Sequence, residues 1–162
     1  MGFFSKFFKL SPPPLRRKLD GKTVATLLGE AIKGRTAANY RHVGFKMTMA
    51  VVTMKDIEVA AGSVFPWRKD VWECEDQARH FVNTAQRTAA NEGCSWALGI
   101  LRGLPVPRSP KLAEGIPHIW VWCLVEDDAA RLFPVSQVRF YDATARRWAS
   151  VEEIADIDFS MT

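Results

Sequence analysis

Apolar residues recur with two different periods along this chain, and those periods predict where helices and strands lie. In KTVATLLGEAIK, residues 22–33, Val24, Leu27, Leu28, Ala31 and Ile32 fall on one helical face, and Gly34 supplies a stop. The stretch GFKMTMAVVTM alternates instead. Phe45, Met47, Met49 and Val51 are spaced by Lys46, Thr48 and Ala50, which predicts a strand. AAGSVFPWRKD reads as a loop. Beyond it, Asp70 and Glu73 have the spacing of a capping box, and Ala78, Phe81, Val82, Ala85 and Ala89 recur at core spacing, so a long helix is predicted through DVWECEDQARHFVNTAQRTAANEG.

The second half reads mainly as strands. CSWALGILRG after Gly93 is one, and the Pro-rich loop LPVPRSPKLAEG follows it. IPHIWVWCLVED is a stronger one: His118, Trp120 and Trp122 share one face, with Ile119, Val121 and Cys123 on the other. QVRFYDAT is a third, ending at Asp142. The expected fold class is therefore α+β, a central helix packed on an antiparallel sheet whose strands include 94–102, 117–126 and 137–142.

Size and charge refine this picture. A chain of 162 residues fits one domain with a real core. We read residues 1–20 as a basic, Phe- and Pro-rich arm and residues 21–162 as the single domain. Phe3, Phe4, Phe7 and Phe8 would form an aromatic stripe on a short helix, and Pro12, Pro13 and Pro14 would end that helix. Residues 1–47 hold ten Lys or Arg against two acids, whereas the remainder holds twelve against sixteen. Such an arm suits an anionic partner: nucleic acid, a membrane surface or an acidic protein. No apolar run reaches the roughly 20 residues of a transmembrane helix, and Lys6 and Lys9 interrupt the only apolar start. With three cysteines and no CxxC spacing, a disulfide framework is not expected, and the expected compartment is the reduced cytoplasm.

The candidate chemistry centres on Cys74. On the long helix it lies one turn before Ala78, so it fits a buried apolar stripe as well as a reactive site. Near a helix start, the dipole and free N–H groups favour a thiolate, while Glu73, Glu75 and Asp76 oppose it. Those acids also suit a divalent cation, although no metal or other cofactor is assigned. A zinc site from Cys74, Cys94, Cys123 and a histidine lacks standard ligand spacing. A thiol needs a base, and the base needs an orienting acceptor; Cys74, His118 and Asp142 supply one of each. Trp120 is placed to wall the His118 pocket. His42, beside Arg41 and Tyr40, is a candidate for a basic patch. No phosphate-binding Gly-rich loop or GxSxG elbow is present.

Taken together, WECEDQARHFVNTAQRTAANEGCSWALGILRG, HIWVW and FYDATARRW resemble the papain-like and transglutaminase-like cysteine-hydrolase superfamily. ECEDQA is similar to the opening of phage and bacterial relatives of the papain-like C-terminal domain of a fungal agglutinin. The resemblance covers about residues 65–150. It implies a papain/transglutaminase-like fold and an active site of Cys74 as nucleophile, His118 as base and Asp142 as orienter. That family usually has a Gln upstream of the nucleophile for the oxyanion. Here the first Gln is Gln77, and Trp67 or Asn39 would have to substitute. Two functions follow. One is an intracellular thiol hydrolase or acyltransferase acting on a peptide or other amide or ester. The other is an inactive phage or bacterial protein of the same fold that binds a host protein.

Overall fold

Asp20 decides where the first helix begins. Its carboxylate accepts hydrogen bonds from the Thr23 N–H at 3.0 Å and the Thr23 hydroxyl at 2.6 Å, and α1 runs over Gly21–Ala31. The computed structural model describes residues 14–44, 48–62, 73–106, 115–126 and 136–162. Just before α1 lies β1 (Lys18–Asp20), and after it come β2 (Thr36–Val43), β3 (Thr48–Ala50), α2 (Met54–Gly62) and α3 (Cys74–Asn91). The chain continues with β4 (Leu98–Pro105), β5 (His118–Glu126), β6 (Ser136–Asp142), β7 (Arg147–Ala149) and, after a short 3-10 turn, β8 (Ile154–Met161).

The main sheet has six strands in the order β2-β8-β4-β5-β6-β7. Its β2–β8 pair is parallel and its other pairs are antiparallel. A separate antiparallel pair joins β1 to β3. This corrects the expected fold class, a papain/transglutaminase-like helix on an antiparallel sheet: the sheet is mixed, with a parallel β2–β8 pair, and it holds strands beyond those expected at 94–102, 117–126 and 137–142. The additional strands come from segments such as Thr36–Val43, whose polar side chains hide their pairing. The strand expected over residues 44–54 is also shortened. Only Thr48–Ala50 is strand among its described residues, because Thr53 and Asp56 form a reciprocal cap that starts α2: the Thr53 N–H donates to Asp56 at 2.8 Å and the Asp56 N–H to Thr53 at 3.2 Å.

Helices cover both faces of the sheet. On one side, the Ala78, Phe81, Ala85 and Ala89 stripe of α3 packs with Ile119, Val121, Cys123 and Val125 of β5. Three alanines in that stripe let the helix sit close to the strand. Across the sheet, Val24 and Leu28 of α1, with Ile32, pack in a second cluster with Trp120, Trp122 and Leu124. Strand β5 is thus apolar on both faces, as a strand buried between two layers must be. Gly99 permits a close crossing, since a Cβ there would lie 1.9 Å from the Met161 carbonyl oxygen.

The chain enters this core through one buried cation. Arg16 contacts Asp56 of α2 at 2.6 and 3.1 Å and Glu92 at 2.6 and 2.9 Å. Its guanidinium lies 4.8 Å from the Trp96 ring centroid. Among the described residues, no helix is long and apolar enough to cross a membrane.

Candidate functional site

Cys74 is the first residue of α3. Its helix starts here because Glu73 and Asp76 form a capping box, in which the Glu73 N–H reaches Asp76 Oδ2 at 3.4 Å. Asp70, the expected cap, lies outside the described residues. The acids around the thiol are therefore structurally committed: Asp76 to the cap, and Glu75 to an ion pair with Arg79 one turn on, at 2.5 Å. Among the described residues, no group of three or more acids, histidines or cysteines is arranged to hold a metal.

His118 opens β5 and Asp142 closes β6, and the pairing of these strands brings both to one end of the sheet. His118 Nε2 lies 3.3 Å from Asp142 Oδ1. This is an ion-pair distance, but the N–H is not aligned for a hydrogen bond. The Cys74 thiol is also near enough to the imidazole to help raise it, so His118 neighbours the other two. Burial opposes a charge on His118. The Asp142 carboxylate and the Cys74 thiol outweigh it and raise the imidazole to about 9.

Asp142 is fully buried, and burial alone would raise its pKa; contact with His118 instead holds it below the usual carboxylate range. Its Oδ1 also accepts the backbone N–H groups of Thr144 at 3.0 Å and Ala145 at 2.9 Å. That Asx turn places Arg146 at φ 52°, a left-handed conformation. Arg147, doubly bonded to Glu153, adds positive charge nearby. The turn's contribution was not anticipated. ASP-x-THR in FYDATARRW is a signal for it, because Asp bonds its own backbone two residues on.

The further candidates meet different fates. Trp120 is fully buried and stands perpendicular to the His118 ring, with centroids 4.7 Å apart and planes at 79°. Trp67 lies outside the described residues. Asn39 is exposed on β2, three strands from β5, or roughly 14 Å at normal strand spacing; it is too distant to serve the thiol. His42 is not simply part of a basic patch: its Nδ1 lies 2.6 Å from the buried Ser160 hydroxyl, which also bonds Tyr40 at 2.7 Å. The remaining cysteines are free thiols. Burial pushes Cys94 up and Cys123 far above the ordinary thiol range.

No family model matches the sequence, and no curated protein does. Solved structures do match. The complex of PSL1a with E64 superposes with a TM-score of 0.68 at 15% identity, covering 90% of this chain and 50% of that one. Polyporus squamosus lectin bound to the human-type influenza-binding epitope Neu5Aca2-6Galb1-4GlcNAc gives 0.61 at 18% identity, covering 90% and 49%. The chain thus spans about half the length of each. At these identities the likeness is one of fold. It corrects the papain-like and transglutaminase-like assignment, together with its hydrolase and thiol-protease labels: the matched structures are those of a fungal lectin. The agglutinin part of the resemblance is the part these matches touch.

Proposed function

We propose that the chain is a partner-binding module in which Cys74 takes up an acyl group from the molecule it binds. The chemistry rests on one observation: a single buried imidazole, held charged to about pH 9, has the Asp142 carboxylate at 3.3 Å and the Cys74 thiol near enough to add to its proton affinity. An imidazolium near a cysteine at the N-terminus of α3 supplies the two partners that nucleophilic acyl transfer needs. The thiolate attacks the carbonyl carbon of a bound amide or ester and forms a C–S bond. As the C–N or C–O bond breaks, His118 gives its proton to the leaving atom, and the acyl group rests on Cys74 as a thioester. Neutral His118 then takes a proton from a second nucleophile, which accepts the acyl group and frees the thiol. Asp142 orients the ring and stabilises its charge. The Cys74 backbone N–H, in the first turn of α3, would serve the developing oxyanion.

The test is acylation by p-nitrophenyl acetate, read by peptide mass spectrometry. One acetyl group is expected on Cys74 in the parent, and none on that position in Cys74→Ser or His118→Ala. Acetylation spread evenly over Cys74, Cys94 and lysines, unchanged by His118→Ala, would contradict the reading.

The lectin likeness favours a second reading, binding without acyl transfer, with a glycan or a host protein as partner. Calorimetric titration with Neu5Aca2-6Galb1-4GlcNAc separates the two. Saturable binding retained in Cys74→Ser, with no acetylation of the parent, supports binding alone. A peptide or other amide remains the partner class that fits the thiol chemistry.

A further inference from the structure

We infer that Trp120 is a positioning residue: its indole, standing perpendicular to the His118 ring, holds the imidazole in the plane that lets it meet Asp142 and Cys74 together. The inference builds on the acyl-transfer site but concerns the ring alone. An imidazole rotates in a broad, roughly twofold torsional well, so its plane has to be imposed from outside. The Asp142 contact does not impose it. At 3.3 Å that contact is an ion pair without an aligned hydrogen bond, and a point attraction leaves the ring free to tilt.

Trp120 is suited to the task. It lies two residues along β5 from His118, so both side chains leave the strand on the same side. It is fully buried among Leu101, Trp122, Leu124 and Phe140, which fixes its own rotamer. Its ring meets the imidazole at 4.7 Å and 79°, the edge-to-face geometry that aromatic quadrupoles prefer.

One feature of Trp120 runs against simple packing. Its Nε1–H is buried and, among the described residues, has no hydrogen-bond partner. A phenylalanine would fill the core without stranding a donor. Violations of local packing rules concentrate where function constrains a residue, and the neighbour being constrained here is His118.

The experiment compares Trp120→Met, which fills most of the volume with a flexible chain, and Trp120→Phe, which keeps a ring. The readout is the titration midpoint of His118, followed by NMR of the imidazole in each folded variant. Loss of packing elsewhere in the core would not move this midpoint. With Met, we expect the proton affinity of His118 to fall about tenfold, within the range for a cation in contact with an aromatic ring. With Phe, it should stay within about threefold of the parent. Parent-like titration in Trp120→Met, or an equal fall in both variants, overturns the assignment. Should the Met variant not fold, the parent decides. Above its midpoint, a positioned ring carries its proton on Nε2 in one tautomer, whereas a mixture of tautomers contradicts positioning. Because neither readout requires acylation, failure here and failure of acyl transfer are separable.

Discussion

Among the described residues, the ionic clusters at Arg16 and at His118 are built to different standards. At Arg16, both carboxylates are bonded through short contacts, and the Glu92 carboxylate also accepts the Trp96 indole N–H at 2.9 Å. At His118, the ion pair is long, and Asp142 Oδ2 and Trp120 Nε1 have no hydrogen-bond partner among the described residues. A satisfied cluster is a clamp. An under-satisfied one keeps polar capacity in reserve for a ligand or a reaction, and catalytic hydrogen bonds often align only when a substrate is bound.

Removing the cation tests the clamp hardest. Arg16→Ala should destabilise the protein by about 3 kcal/mol, because it leaves Asp56 and Glu92 partly buried and uncompensated. Urea unfolding measures this. Cys74 alkylation in the folded variant should be unchanged, since the two clusters are built from different residues.

Asp142→Asn should cost up to about 2 kcal/mol at pH 7, most of the free energy linked to the raised His118 pKa, with Cys74 supplying the rest. The Asn carbonyl can still accept the Thr144 and Ala145 N–H groups, so the turn should survive. The pH dependence sharpens the contrast between the clusters. His118 titrates higher when folded, so its stabilisation is complete below its unfolded value near 6.5 and is lost as pH rises through about 9. Asp142 titrates lower when folded, so its share is present above the ordinary carboxylate range and is lost in acid. At the clamp, contact with Arg16 holds Glu92 down, and outweighs burial to hold Asp56 down, while the Arg16 guanidinium is held up. That cluster should weaken only in acid. Chemical denaturation between pH 6 and 9 should therefore show a falling limb that Asp142→Asn abolishes and Arg16→Ala retains.

Arg146→Gly should have a smaller effect in the other direction, a gain of about 1 kcal/mol, because glycine adopts φ 52° without steric cost. Thermal unfolding would register it, and His118 titration should not change. Glu75→Ala should be smaller still. Its pair with Arg79 is half-exposed, and exposed pairs one turn apart contribute about 0.3–0.5 kcal/mol. A larger loss of stability would mean that the acids near Cys74 do more than support the helix.

The two clusters also differ in how visible they are in the sequence. His118 and Asp142 sit in strongly patterned strands, and Cys74 sits at the head of a helix with a regular alanine stripe, so their order along the chain suggested one site. The mixed sheet was not visible, because β2 is an edge strand whose polar side chains conceal its parallel pairing with β8. Nor was α2: its cap, Thr53 with Asp56, lies inside a stretch whose apolar alternation suggested a strand. Arg16 was read only as one charge of a basic arm. Its partners are 40 and 76 residues away, and no local pattern encodes contacts over such separations. The family assignment failed for a related reason. Short motifs carried it, whereas the likeness to the solved lectin structures lies in the fold, across 90% of the chain.

The most direct test of the account is the pH dependence of iodoacetamide alkylation at each cysteine, in the parent and in His118→Ala, followed by peptide mass spectrometry. The account predicts that Cys74 reacts near neutral pH while buried Cys123 stays protected, and that His118→Ala removes the advantage of Cys74. If Cys74 is inert in the parent, or reacts identically with and without His118, the contact among Cys74, His118 and Asp142 is packing rather than chemistry, and the central claim is wrong.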